Sequence, residues 1–262
     1  TASAELLAYE GFNYTVGAGL AGLDGGFGWD KPGFVGWDGS QGAIGADVIQ
    51  AGSLEYTDSL GNILTTTGGK LLNTGSAGAS QGGRYLAERR STGSTWMSFL
   101  SRRIGELNTD GTYLGGANLA LFDLTRENNQ ERLNIGPENS NNSWLNPDTE
   151  EREDRFQLRY PNVSLQLLNS HLPEASQPPT PNFNTASNGT IAGRYRDVFT
   201  EASTHNVNLF VMRIDHIEGG GDNIYFWLNP DLSTTPSDSN VSGRYLDADI
   251  QAAALVAEVA PY

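Results

Sequence analysis

Tyr225, Trp227 and Asn229 stand two residues apart in Asn223-Ile-Tyr-Phe-Trp-Leu-Asn229. In a strand, that spacing places all three on one face and Ile224, Phe226 and Leu228 on the other. Two rings and an amide on one face can stack against a pyranose ring and hydrogen-bond its hydroxyls. Trp144, in the loop-like Asn141-Asn-Ser-Trp-Leu-Asn146, adds a further exposed ring. Glycan contact is the chemistry expected of Tyr225, Trp227, Asn229 and Trp144. The competing expectation is a strand covered on both faces, with its rings in the core.

A second chemistry is cation binding. Asp24, Asp30, Asp38, Asp47, Asp58, Asp222, Asp231 and Asp238 lie in or beside segments rich in Gly, Ser or Pro. Loop carboxylates and backbone carbonyls are the oxygen ligands that Ca2+ takes. No EF-hand pattern occurs, so a calcium site has to be assembled from separate loops, and its ligands stay unassigned. Acidic residues also serve turn geometry alone.

Catalytic motifs fare worse. Gly17-Ala-Gly-Leu-Ala-Gly22 matches GxGxxG, but Gly25-Gly-Phe-Gly28 follows it, and that run cannot open the helix a dinucleotide site needs. Gly68-Gly-Lys70 fails as a P-loop, because Leu64 and Leu71 stand where Gly and Ser/Thr are required. Glu150-Glu-Arg-Glu-Asp154 offers Glu151 and Glu153 on one strand face, without the third carboxylate of a sandwich glycosidase. His171, His205 and His216 lack zinc spacing. His216, beside Asp215 and near Arg213, leaves room for a lyase-like cluster. The residues therefore point to binding or building rather than catalysis.

These candidates need a scaffold, and the composition indicates which one. The 262 residues carry 31 acidic and 16 basic side chains, a net charge of -15. A field of that sign repels nucleic acid and attracts cations. There is no cysteine, which excludes a disulfide framework and thiolate chemistry. With 32 glycines, and Lys31 and Lys70 the only lysines, turns are plentiful and helix formers are few. No apolar run reaches the ~20 residues of a membrane-spanning helix. The chain opens on Thr1 without a signal sequence, so it reads as a mature secreted form. The sequons at Asn13, Asn141, Asn162, Asn188 and Asn240 matter only in a host that glycosylates.

Strands are expected at 5–12, 53–57, 62–67, 85–90, 95–102, 117–123, 132–135, 156–160, 208–215 and 223–229. A long packed loop is expected over 17–45, loops at 136–154 and 171–190, and a closing edge strand in 247–259. Those at 95–102, 117–123, 208–215 and 223–229 carry apolar residues on both faces, as in the middle of a layered sheet. Ten to fourteen strands with turn signals between them indicate an all-β fold. The expected form is a two-sheet antiparallel jelly-roll sandwich, a single domain over 1–262.

Leu7-Ala-Tyr-Glu-Gly-Phe-Asn-Tyr14 followed by Gly25-Gly-Phe-Gly-Trp29 resembles the opening of LamG-like, concanavalin A-like lectin-glucanase jelly rolls of the secreted bacterial surface or matrix type. Thr95-Trp-Met-Ser-Phe-Leu100, Glu131-Arg-Leu-Asn-Ile-Gly136, Leu209-Phe-Val-Met-Arg-Ile-Asp215 and Asp222-Asn-Ile-Tyr-Phe-Trp-Leu-Asn-Pro230 continue that resemblance in order. It implies secretion and carbohydrate binding or adhesion, and it supplies no catalytic residues to carry over. The sorting tail common in such proteins is not in this sequence. Three functions follow as expectations: a polysaccharide-binding module; a structural protein that self-assembles through edge strands into a filament, sheath or surface layer; and a glycoside hydrolase or polysaccharide lyase on the same scaffold.

Overall fold

The computed structural model describes residues 5–29, 36–37, 47–73, 82–87, 90, 92–104, 206–218, 222–239 and 241, together with the strand backbones at 119–123, 130–137, 155–160, 163–168, 184–185, 191–194 and 243–245. Every regular element among them is a strand, so the fold is all-β as expected. No helix among them is long and apolar enough to cross a membrane. Contacts divide the chain into two compact units, Thr1–Glu55 with Leu64–Arg89, and Tyr56–Ile63 with Arg90–Tyr262.

The first unit is built mainly from turns. Strand β1 (Asp47–Gln50) pairs antiparallel with β4 (Lys70–Asn73). Leu20 and Ile49 are its buried centre, with Phe12, Tyr14, Leu23, Trp37 and Leu71 packed around them. The Gly17–Gly22 segment is stitched to β1 through Gly17 N to Ile49 O, Leu20 N to Asp47 O and Ile49 N to Ala18 O. Those bonds occupy the backbone that a dinucleotide would need. Residues 5–12 form no strand; the single bridge Tyr9–Phe27 stands in its place. Gly26 and Gly28 flank that bridge with positive φ, and a Cβ on either would overlap the carbonyl oxygen of Tyr9 or Leu7. Glycine is required there by close backbone approach as well as by conformation. Of the strand expected at 85–90, the described part makes only the bridge Leu86–Trp29.

The expected strands around residue 60 form a hairpin, β2 (Glu55–Thr57) with β3 (Ile63–Thr65). Asp58 organises its turn. Its carboxylate accepts from Leu60 N, Asn62 N and Asn62 Nδ2, and from Leu232 N. Burial pushes this carboxyl up, but the four donors outweigh it and hold it at about 2, against an ordinary 3.8. A depressed pKa contributes stability above the ordinary value, which is lost as pH falls through the folded one. Stability should therefore decline between about pH 4 and pH 2, and Asp58→Asn should flatten that limb in thermal melts taken across the window. An unchanged acid limb would remove Asp58 from this role. The Tyr56 hydroxyl, pushed up to about 12 by burial and by the charges of Asp58 and Asp231, stays protonated beside Pro230 O.

The second unit holds two larger sheets. In the first, β5 (Gly93–Ser101), β12 (Asn208–His216), β13 (Asn223–Leu228) and β14 (Gly243–Tyr245) run in the order β14-β13-β12-β5, all antiparallel. In the second, β6 (Leu119–Asp123), β7 (Gln130–Pro137), β8 (Arg155–Tyr160) and β9 (Val163–Leu168) form a meander. Strand β11 (Ile191–Arg194) adds to β9 in parallel, and β10 (Asn184–Thr185) pairs with β11. Strands β1, β4, β10, β11 and β14, of four residues or fewer, are too short to stand out in the sequence, whereas β9 is not among the expected strands although Val163-Ser-Leu-Gln-Leu-Leu168 carries the strand alternation. The expected strands at 95–102, 117–123, 132–135, 156–160, 208–215 and 223–229 are all present within a few residues. The tail at 247–259 lies outside the described residues.

The four-stranded sheet carries the main described core: Phe210, Met212, Ile214, Ile224, Phe226 and Leu228 share one buried face. The expectation that β5 is covered on both faces is corrected here. Thr95 and Ser101 are buried, whereas Ser94, Trp96 and Ser98 on the alternate face are exposed. Among the described residues β5 ends the sheet, and its Ser94, Trp96 and Ser98 face meets solvent.

Candidate functional sites

Pairing of β5 with β12 and of β12 with β13 sets Trp96 opposite Arg213, and Arg213 opposite Tyr225. The face opposite the core therefore presents a band of rings held by one cation. Trp96 stacks on Trp227 with centroids 5.4 Å apart, and Tyr225 stacks on Trp227 at 6.3 Å. The Arg213 guanidinium lies 4.0 Å from the Tyr225 centroid, 5.5 Å from Trp96 and 5.8 Å from Trp227. Partly desolvated contacts of this kind are favourable by about 1–2 kcal/mol. Asp215 and Asp238 complete the group, at 3.0 Å from Arg213 Nε and 2.8 Å from its terminal nitrogen. Burial opposes the charge on Arg213, but these carboxylates and Tyr225 prevail and raise its pKa. Ser94 Oγ donates to Asp215 Oδ1 at 2.6 Å.

The band differs from the expected groove in which ring meets solvent. Trp227 is 1% exposed and Tyr225 7%, while Trp96 is 47% exposed. The segment after β13 turns back over Trp227, whose Nε1 donates to Ser237 O, and brings Asp238 to Arg213. Trp227 and Tyr225 thus back the platform, and Trp96 presents it. Asn229 is committed elsewhere. It adopts φ 52°, its Oδ1 accepts from Leu209 N, and its Nδ2 donates to Asn208 Oδ1. It closes the β12–β13 end in a left-handed conformation that Asn tolerates. Trp144 lies outside the described residues. The signal for Trp96 was present in Ser94-x-Trp96-x-Ser98, an alternation of polar and aromatic residues against Thr95, Met97 and Phe99.

At the end of the same sheet, on its core face, Thr95 Oγ1 and His216 Nε2 are 2.9 Å apart, and His216 Nδ1 is 3.0 Å from Asp222 Oδ2. The expected neighbours of His216, Asp215 and Arg213, project from the other face of β12. His171, His205 and Glu150–Asp154 lie outside the described residues.

In the first unit, a carboxylate for which no sequence motif indicates a role is the hub. Glu10 Oε2 accepts from Tyr14 Oη (2.7 Å), Trp37 Nε1 (3.2 Å) and Arg84 (2.8 Å), and Oε1 accepts from Phe12 N (2.7 Å). Arg84 also donates to Asp24 and to Gly25 O, with its guanidinium 5.3 Å from the Trp29 centroid and 5.9 Å from Trp37. Burial and the Glu10 bond raise the Tyr14 pKa against the opposing Gly25 N–H and Arg84. An open crevice of about 350 Å³ adjoins this hub, lined by Tyr9, Asn13, Tyr14 and Thr67 among others.

The acidic residues expected to hold Ca2+ are dispersed. Asp24 pairs with Arg84, Asp58 caps its own turn, Asp222 holds His216, Asp231 caps Ser233, and Asp238 pairs with Arg213. Asp47 is buried in β1. Asp30 and Asp38 lie outside the described residues. No group of three metal-ligating side chains occurs among the described residues.

Comparison with protein-family models, with curated proteins and with solved structures found no match.

Proposed function

We propose that the chain is a secreted, lectin-like module of the concanavalin A-like jelly-roll type that binds polysaccharide through the Trp96 platform. The observation that carries this reading is the half-exposed Trp96 ring, held in place from beneath by Trp227 and Arg213. An exposed indole backed by fixed partners loses little freedom when a pyranose stacks on it. Asp215 and Asp238 beside it accept hydroxyl protons from a sugar. The excess of acid over base suits neutral rather than polyanionic glycans.

Retention on a panel of soluble polysaccharides, repeated with Ca2+ and with chelator, tests the reading. Trp96→Ala should weaken binding of a retained glycan by about 30-fold, the ~2 kcal/mol typical of an aromatic anchor. A folded Trp96→Ala chain that binds unchanged would sink the platform. Loss of retention in chelator would add calcium to the site.

A second reading, self-assembly, has one observation in its favour. Strand β5 ends the four-stranded sheet among the described residues. Its nine residues contain no charge and no proline, the devices that normally keep sheet margins from pairing with other chains. Scattering at rising concentration decides: regular large particles support assembly, and a monodisperse monomer opposes it.

A further inference from the structure

Thr95, His216 and Asp222 form a row across three segments at one end of the four-stranded sheet, on the face opposite Trp96. Asp222 is held in turn by Ile217 N, which donates to its Oδ1 at 3.2 Å. With Nδ1–H donated to Asp222 Oδ2 at 3.0 Å, the Nε2 of His216 faces the Thr95 hydroxyl at 2.9 Å, within reach of its proton. A hydroxyl, a base within reach of its proton and a carboxylate orienting that base are the arrangement of nucleophilic acyl transfer.

We propose that this row is a hydrolytic site for small acyl esters, separate from the glycan platform. Thr95 Oγ1 attacks the ester carbonyl while its proton passes to His216 Nε2. The carbon–oxygen bond to the leaving alkoxide breaks, and His216 returns the proton to that alkoxide. Water, deprotonated by His216, then cleaves the Thr95 ester, which releases the acid and restores the hydroxyl. Asp222 is a positioning residue, acting through the His216 ring. Thr95 is 9% exposed, so acetyl, a small acyl group, is the one to present to it.

The test uses the full chain and p-nitrophenyl acetate. The expected result is release of p-nitrophenolate with an acetyl adduct mapped by mass spectrometry to Thr95. Thr95→Val keeps the branched shape and removes the hydroxyl, and His216→Gln removes the base. Each should lower the rate by about 100-fold or more, with folding checked by circular dichroism. The adduct on unaltered protein keeps the test decisive if a variant does not fold. Acetylation only elsewhere, such as on Lys70, or hydrolysis no faster than in buffer, would overturn the proposal and leave the row as a clamp between strands.

Discussion

Trp227→Ala is expected to cost the second unit about 3–5 kcal/mol, the range for deleting a fully buried large aromatic. The ring is 1% exposed. It stacks on Trp96 and Tyr225, lies beside the Arg213 guanidinium, and donates from Nε1 to Ser237 O. Truncation opens a cavity, leaves a carbonyl without its donor and removes the backing of Trp96. Denaturant unfolding should show a lowered midpoint. Any glycan binding should fall with it, since the platform loses its support. The contrast with Trp96→Ala is diagnostic: the exposed ring should affect binding far more than stability. Equal stability losses for both substitutions would contradict the assignment of one ring to the core and the other to the surface.

Glu10→Ala should be comparably damaging in the first unit, by about 3–5 kcal/mol, because it removes the buried counter-charge of a buried cation and leaves it only the half-exposed Asp24. The side chains of Arg84 and Glu10 are 4% and 8% exposed. Glu10 also receives Tyr14 Oη, Trp37 Nε1 and Phe12 N, so the substitution strands four donors together. Asp24→Ala is the internal comparison. That carboxylate is 54% exposed, and its pair with Arg84 should be worth under about 1 kcal/mol. Thermal unfolding of the two variants side by side separates a buried hub from a surface pair. A Glu10→Ala chain as stable as Asp24→Ala would show that the network does not hold the turns of this unit together.

Period-two runs were legible because alternation and apolar content are local. The strands at 208–216 and 223–228, and the hairpin around Asp58, stand where the sequence indicates. The strand expected at 5–12 is not formed, since the Gly-rich chain that follows offers it a single bridge in place of a ladder. Glu10 looked unremarkable within Leu7-Ala-Tyr-Glu-Gly-Phe12 because the partners that bury it, at positions 37 and 84, are distant in sequence.

By itself, the sequence determined the all-β class, the abundance of turns, the net acidic charge and the position of the aromatic strand. Those properties follow from composition and from spacing along one chain. Which ring faces solvent was decided only by tertiary structure. Period two places Tyr225 and Trp227 on one face, but whether that face is open depends on the segment at 230–239 folding back over it. In the same way, Trp96 gains its backing, and Thr95 meets His216, because β5 pairs with β12 across more than a hundred residues of sequence. Such pairing reflects burial and hydrogen bonding summed over the whole sheet, which no local pattern encodes.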